Sequence, residues 1–189
     1  MALSEPIHIE GALTPELAET LSAGEQVLYS GTVLTARDAA HKRMVELLDE
    51  KNPLPVQIDG AIIYYAGPAP AKPGAPIGPV GPTSSYRMDP YAPRLLDLGL
   101  RAMIGKGARS QEVIDAIVRN KAVYFAAVGG AAALIATCVK SAELVAYGDL
   151  GAEAIRKLEV ADMPLTVAID CHGRNIYDFG PAAYLATLS

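Results

Sequence analysis

Three neighbouring aliphatic hydroxyls, Thr83, Ser84 and Ser85, and the Arg87 guanidinium stand within five residues, directly behind a run of glycine and proline. A stiff loop ending in O–H, N–H and guanidinium donors suits a carboxylate or phosphate, whose oxygens accept charge-assisted hydrogen bonds. The same residues also read as an ordinary Ser/Thr helix cap followed by a surface arginine. Arg37 poses a similar alternative. It falls in the first turn of an expected helix, where the macrodipole disfavours a cation. Either Asp38 and local acids neutralise it, or it faces an anion that also uses the helix N-terminus. Lys106 lies between Gly105 and Gly107, which let the backbone bend and approach a ligand closely; a solvated turn lysine is the other reading. The spacing excludes a phosphate loop, because Gly99 to Gly105 is one residue too long and Gly107 stands where Ser or Thr would meet magnesium. Gly129-Gly130 is either a further anion-binding helix start or a point of close backbone packing. Cys171-His172 lacks the additional ligands that a metal site needs, and no Ser-His-Asp or Cys-His-Asn arrangement is supported.

The composition limits what those groups can belong to. With 189 residues, 51% hydrophobic and 20% charged, the chain can bury one full core without a second domain. A net charge of -5 leaves no basic excess for nucleic acid. His8, His41 and His172 are scattered, and Cys138 and Cys171 make no disulfide framework. The opening residues carry early acids and no apolar leader, so a cytoplasmic protein is expected. Ala122 to Val139 is uncharged and long enough for a membrane span. Its β-rich first half, central glycines and alanine-rich second half read better as buried strand, turn and buried helix.

The elements expected to carry the site are mixed. Thr14 caps a short helix with Pro15 at its first position, and Gln26 to Ser30 is a strand. Thr35-Ala36-Arg37-Asp38 has capping-box spacing and opens a helix to about Glu50, with Ala40, Met44, Leu47 and Leu48 on one face. Ile58 to Ala66 is a buried strand. Gly67 to Pro82 holds six prolines and four glycines, and reads as an ordered loop over one domain in preference to a linker. A helix is expected from Asp89 to Leu98, another from Ser110 through Val118, and a short one from Ala152 to Leu158. Leu165–Asp170 and Asn175–Phe179 form a terminal hairpin. Strands and helices do not alternate strictly, so the fold class is α+β or layered, a single domain over 1–189.

Five ordered strings now carry a resemblance: SGTVLTARDAAHKR (Ser30–Arg43), IIYYAGPAP (Ile62–Pro70), IGPVGPTSSYRMD (Ile77–Asp89), IGKGARS (Ile104–Ser110) and AVGGAAALIA (Ala127–Ala136). Together the chain resembles, from about Thr14 to Phe179, the β-subunit or C-terminal domain of iron–sulfur hydro-lyases, the class I fumarases and L-tartrate dehydratases. That pattern usually has a second threonine where this chain has Ser84. The resemblance implies a swivelling β/β/α layered domain. It implies Thr83 as the catalytic hydroxyl in proton transfer and Arg37, Arg87 and Lys106 as the substrate-binding cations. His41, in the same string as Arg37, could serve only to support that arginine. The resemblance also implies a 4Fe–4S cluster held by cysteines of a partner α-subunit and not by this chain, in an αβ or α2β2 assembly.

The chemistry agrees with those roles. A dicarboxylate calls for at least two placed cations, with arginine preferred for its fork. Proton removal beside a carboxylate builds negative charge that cations stabilise. A threonine hydroxyl has far too high a pKa to act as a base unaided. Reversible hydration of fumarate to L-malate is the leading expectation. Tartrate or a methylated dicarboxylate is the nearest rival, and a non-catalytic anion-binding or assembly subunit is the rival of another class.

Overall fold

Period-2 alternation in the central segments decides the architecture. In a computed structural model describing residues 5–128 and 130–185, strands β3 (Ile62–Tyr64), β4 (Ala102–Gly105) and β5 (Val123–Ala126) run parallel and are buried on both faces. Ile62, Tyr64, Ala102, Ile104, Val123 and Phe125 point to one core. Ile63, Met103 and Tyr124 point to the other. Strands covered on both faces need a layer on each side.

One covering layer is a second sheet region. Strand β2 (Gln26–Thr35) lies antiparallel to the long β7 (Ile155–Ile169). Along its other edge β2 receives β1 (Ile7–Glu10) at its start and β3 at its end, both parallel. β7 likewise pairs with β5 near its end and with β6 (Val139–Ala146) near its start. The ring β2-β3-β4-β5-β7 therefore closes on itself, which removes most free edges. The other layer is helical: α2 (Asp38–Asp49), α3 (Ala92–Leu96) and α4 (Gln111–Arg119) supply Ala40, Met44, Leu95, Leu96, Val113 and Ile117 to the second core. The short helices α1 (Pro15–Thr20) and α5 (Ala132–Cys138) pack on the first core through Ala18 and Ile135. This is the expected α+β arrangement in two β layers and one α layer.

Several local expectations give way to tertiary structure. Ala152–Leu158 is no helix: a 3-10 turn at Gly148–Glu153 runs directly into β7. Its Ala, Glu, Arg and Lys favour helix, but strand partners on both edges outweigh propensity. The terminal hairpin is also absent. One bridge, Ile169 with Asn175, is followed by helix α6 (Ile176–Leu185). The Asp170 carboxylate accepts from the backbone N–H groups of His172, Arg174 and Ala23, and Asn175 Oδ1 accepts from Tyr177 N–H, so the chain coils after its turn. Thr35 ends β2 instead of opening a capping box; its hydroxyl donates to the Ala154 carbonyl and accepts from Arg156 N–H. The expected Asp89–Leu98 helix shortens to α3, Ala92–Leu96, and a 3-10 turn at Ser85–Met88 precedes it. Gly67 to Pro82 is a loop returning to the same sheet. Ile77 and Val80 are buried, and Tyr64 Oη donates to the Val80 carbonyl.

Candidate functional site

The parallel strands end together, and the segments leaving them converge. Arg37 comes two residues after β2, Tyr65 directly after β3 and Lys106 directly after β4. Ligands in parallel sheets characteristically sit outside the carboxyl ends of strands. The proline-rich loop brings its tip back to this end. Ala66 bridges to Pro82, Thr83 N–H donates to the Tyr65 carbonyl at 2.7 Å, and Ser84 pairs with Lys106. The loop is thus stitched between the exits of β3 and β4.

The four residues singled out in sequence meet at this end. Arg37 is the N-cap of α2, half-buried, with Nη2 3.6 Å from Glu153 and Nε 3.8 Å from Asp38. Arg87 Nε lies 2.8 Å from the other oxygen of Asp38. One carboxylate therefore holds two guanidiniums side by side. Arg87 makes no hydrogen bond through its Nη groups, and exposed Lys106 makes no ion pair, among the described residues. The Thr83 hydroxyl likewise has no hydrogen-bond partner there. Asp38 and Glu153 offset much of the charge of the two arginines, but Asp38 engages Arg87 through Nε, so an anion could reach its Nη groups and would meet Lys106 unopposed by any ion pair among the described residues.

Ser85 is not a ligand donor, although its place in the hydroxyl cluster suggests one. It is fully buried, and its Oγ accepts from Lys106 N–H at 3.0 Å. Ser84 makes no side-chain cap, so the Ser/Thr-cap alternative does not describe this turn either. Of the glycine pair, Gly129 lies outside the described residues. Gly130 precedes α5, which packs beside the loop through Val80 N–H to the Ala132 carbonyl.

His41 lies beneath Arg37. It is wholly buried, and its Nδ1–H donates to the Arg37 carbonyl at 2.9 Å. Burial, with Arg109 nearby, pushes its pKa down to about 4 despite the Arg37 carbonyl and Asp38. The imidazole is neutral at pH 7 and supports the arginine's backbone. Because the folded pKa lies below the ordinary 6.5, the unfolded chain takes up the proton first as pH falls. Stability should be full above pH 6.5 and decline toward pH 4 by up to about 3 kcal/mol. Urea midpoints across that window should show the slope in the native chain and lose it in His41→Gln.

Asp38, read in sequence as a neutraliser of Arg37, does pair with it, whereas Glu153, Asp89 and Arg109 were missed. Only Asp38 offered a signal in the sequence, as the neighbour of Arg37. A cavity of about 750 Å3 lies at the opposite end, lined by Asp59, Gly60, Tyr29 and Lys157, and contains none of the four residues. The four residues gather at the strand ends and not at that cavity.

The family model for the fumarase C-terminus matches residues 3–180. The chain belongs to the fumarase C-terminus family. It is 42% identical over 150 residues to the anaerobic class I fumarate hydratase of Escherichia coli K12, covering 78% of this chain and 27% of that protein. To fumarate hydratase 2 of Leishmania major it is 38% identical over 160 residues, covering 82% of this chain and 28% of that protein. It is also 38% identical over 172 residues to a putative L(+)-tartrate dehydratase subunit beta of Methanocaldococcus jannaschii, covering 88% of each. The chain thus spans little more than a quarter of those fumarate hydratases but nearly all of the β-subunit.

A 4Fe–4S cluster does not fit the residues of this domain. Cys171 is buried with Sγ against the Ala18 carbonyl, and Cys138 faces the Leu134 and Asp162 carbonyls. Among the described residues no three His, Cys, Asp or Glu converge on a metal position. Nor is any described helix long and apolar enough to cross a membrane.

Proposed function

We propose that this chain is the β-subunit of a two-subunit fumarate hydratase, active only when an α-subunit carrying a 4Fe–4S cluster completes the site. The observation that supports this most directly is the convergence of Arg37, Thr83, Arg87 and Lys106 at the carboxyl ends of β2, β3 and β4. Similarity to a protein named a tartrate dehydratase β-subunit supports the two-chain arrangement.

In this reading the cations bind and orient a dianion. Arg87 engages one carboxylate with its free Nη fork, Lys106 meets the other as a point charge, and Arg37 flanks the pair. Hydration adds H to one alkene carbon and OH to the other. Thr83 Oγ1 carries the proton at the carbon beside a carboxylate, where the cations stabilise the developing charge. With no hydrogen-bond partner among the described residues, the hydroxyl draws its activation from the α-subunit. Tartrate is the second reading, supported by the same relative.

Anaerobic reconstitution with the candidate α-subunit, then assays of fumarate and L-tartrate, tests the proposal. Turnover of fumarate only in the assembled enzyme is expected. Turnover by this chain alone would overturn the β-subunit reading, and turnover of tartrate without fumarate would replace the substrate.

A further inference from the structure

Two buried contacts that none of these roles uses join the Thr83 loop to the Lys106 loop. In the first, Ser85 N–H donates to the Lys106 carbonyl at 2.9 Å, and Lys106 N–H donates to Ser85 Oγ at 3.0 Å. The Tyr124 hydroxyl, rising from β5, lies 2.9 Å from both Ser85 Oγ and the Gly107 carbonyl. A carbonyl only accepts and a phenol has one proton, so Tyr124 donates to Gly107 and Ser85 donates to Tyr124. Burial pushes the Tyr124 phenol up and keeps that proton in place. The chain of bonds leaves the lysine loop at Lys106 N–H and returns to it at the Gly107 carbonyl.

In the second contact, the Asp89 carboxylate accepts from Arg109 Nε at 2.6 Å and from Ser110 N–H at 2.7 Å. The end of the Thr83–Arg87 turn is thereby tied to the start of α4. The buried Arg109 guanidinium lies 5.3 Å from the Tyr65 ring and 5.0 Å from the Tyr124 ring, so Tyr124 belongs to both contacts. Gly105 is required by the fit: a Cβ there would collide with Ser85 Oγ.

We propose that Ser85, Tyr124, Asp89 and Arg109 are positioning residues that set the Lys106 ammonium against Thr83 and Arg87; the inference rests on the hydro-lyase reading of the site. A lysine on an exposed loop flanked by glycines, with Gly107 at φ 84°, would otherwise sample many directions. Catalysis by oriented charge fails when a cation wanders, and a misplacement of about 1 Å costs on the order of 100-fold.

Tyr124→Phe tests this, because it removes one oxygen and keeps the ring against Arg109. In the assembled enzyme kcat/KM for fumarate should fall by about 100-fold. If Tyr124 acts through Lys106, adding Tyr124→Phe to Lys106→Ala should cost little more, the signature of coupled sites. The same cycle read on the Kd of succinate covers turnover too low to measure. Fully additive losses would overturn the inference and leave the site standing, whereas an unimpaired Lys106→Ala enzyme would sink the site itself. A second readout needs no partner. In the chain alone, hydrogen exchange at the Lys106 amide should accelerate about tenfold or more in Tyr124→Phe and Ser85→Ala, relative to amides in β2 and β7. Unchanged exchange in both variants would equally overturn the inference.

Discussion

Alanine at Arg87 should lower kcat/KM for fumarate by between about a hundredfold and several thousandfold in the assembled enzyme. The range derives from about 3–5 kcal/mol for stripping a desolvated charge of its partner, at tenfold per 1.4 kcal/mol. Arg87 is suited to that role because its Nε is held 2.8 Å from Asp38 while its Nη groups make no hydrogen bond among the described residues. Asp38 aims the fork and leaves it available. Folding should change little, since the Arg87 side chain is 44% exposed and surface ion pairs contribute little stability. Arg87→Lys should recover only part of the loss, because an ammonium keeps the charge without the planar pair of donors. Steady-state kinetics of both variants check this; near-native kcat/KM in Arg87→Ala would remove the residue from the site.

Thr83→Val should act on kcat and spare binding. Valine has nearly the same shape, and the Thr83 hydroxyl has no partner among the described residues to strand. The backbone anchor, Thr83 N–H to the Tyr65 carbonyl, is untouched. A positioned proton carrier contributes about 100- to 10,000-fold, and kcat should fall within that range. The Kd of succinate should remain within about threefold, since a carrier that acts in the transition state adds little to ground-state affinity. Thr83→Ser should retain most of the rate. A Thr83→Val enzyme that turns over normally would assign the proton transfer to another group, and weakened succinate binding would recast Thr83 as a ligand donor.

The cations were legible in the sequence because their neighbours are unusual. Arg37 stands where a helix dipole disfavours it, and Lys106 lies between two glycines. The supporting network was not legible. Ser85 looked like Ser84, yet it turns inward because Gly105 leaves room for its Oγ and Tyr124 waits beneath. Asp89 and Arg109 are separated by 20 residues and meet only when the loop tip is laid against the start of α4. Errors in element type share one cause. Local propensity favours helix in Ala152–Leu158 and strand in Asn175–Phe179, but strand pairing in one case and the Asp170-anchored turn in the other decide otherwise.

By itself the sequence determined the kinds of groups in the candidate site, the α+β class and the family, since these depend on residue identity, order and short-range periodicity. Only the tertiary structure decided how the groups share charge and which hydroxyl faces outward. Those properties depend on contacts between residues far apart in the chain. Asp38 comes between Arg37 and Arg87, and Ser85 locks to Lys106, because parallel strands β2, β3 and β4 finish at one level and deliver their loops to one place.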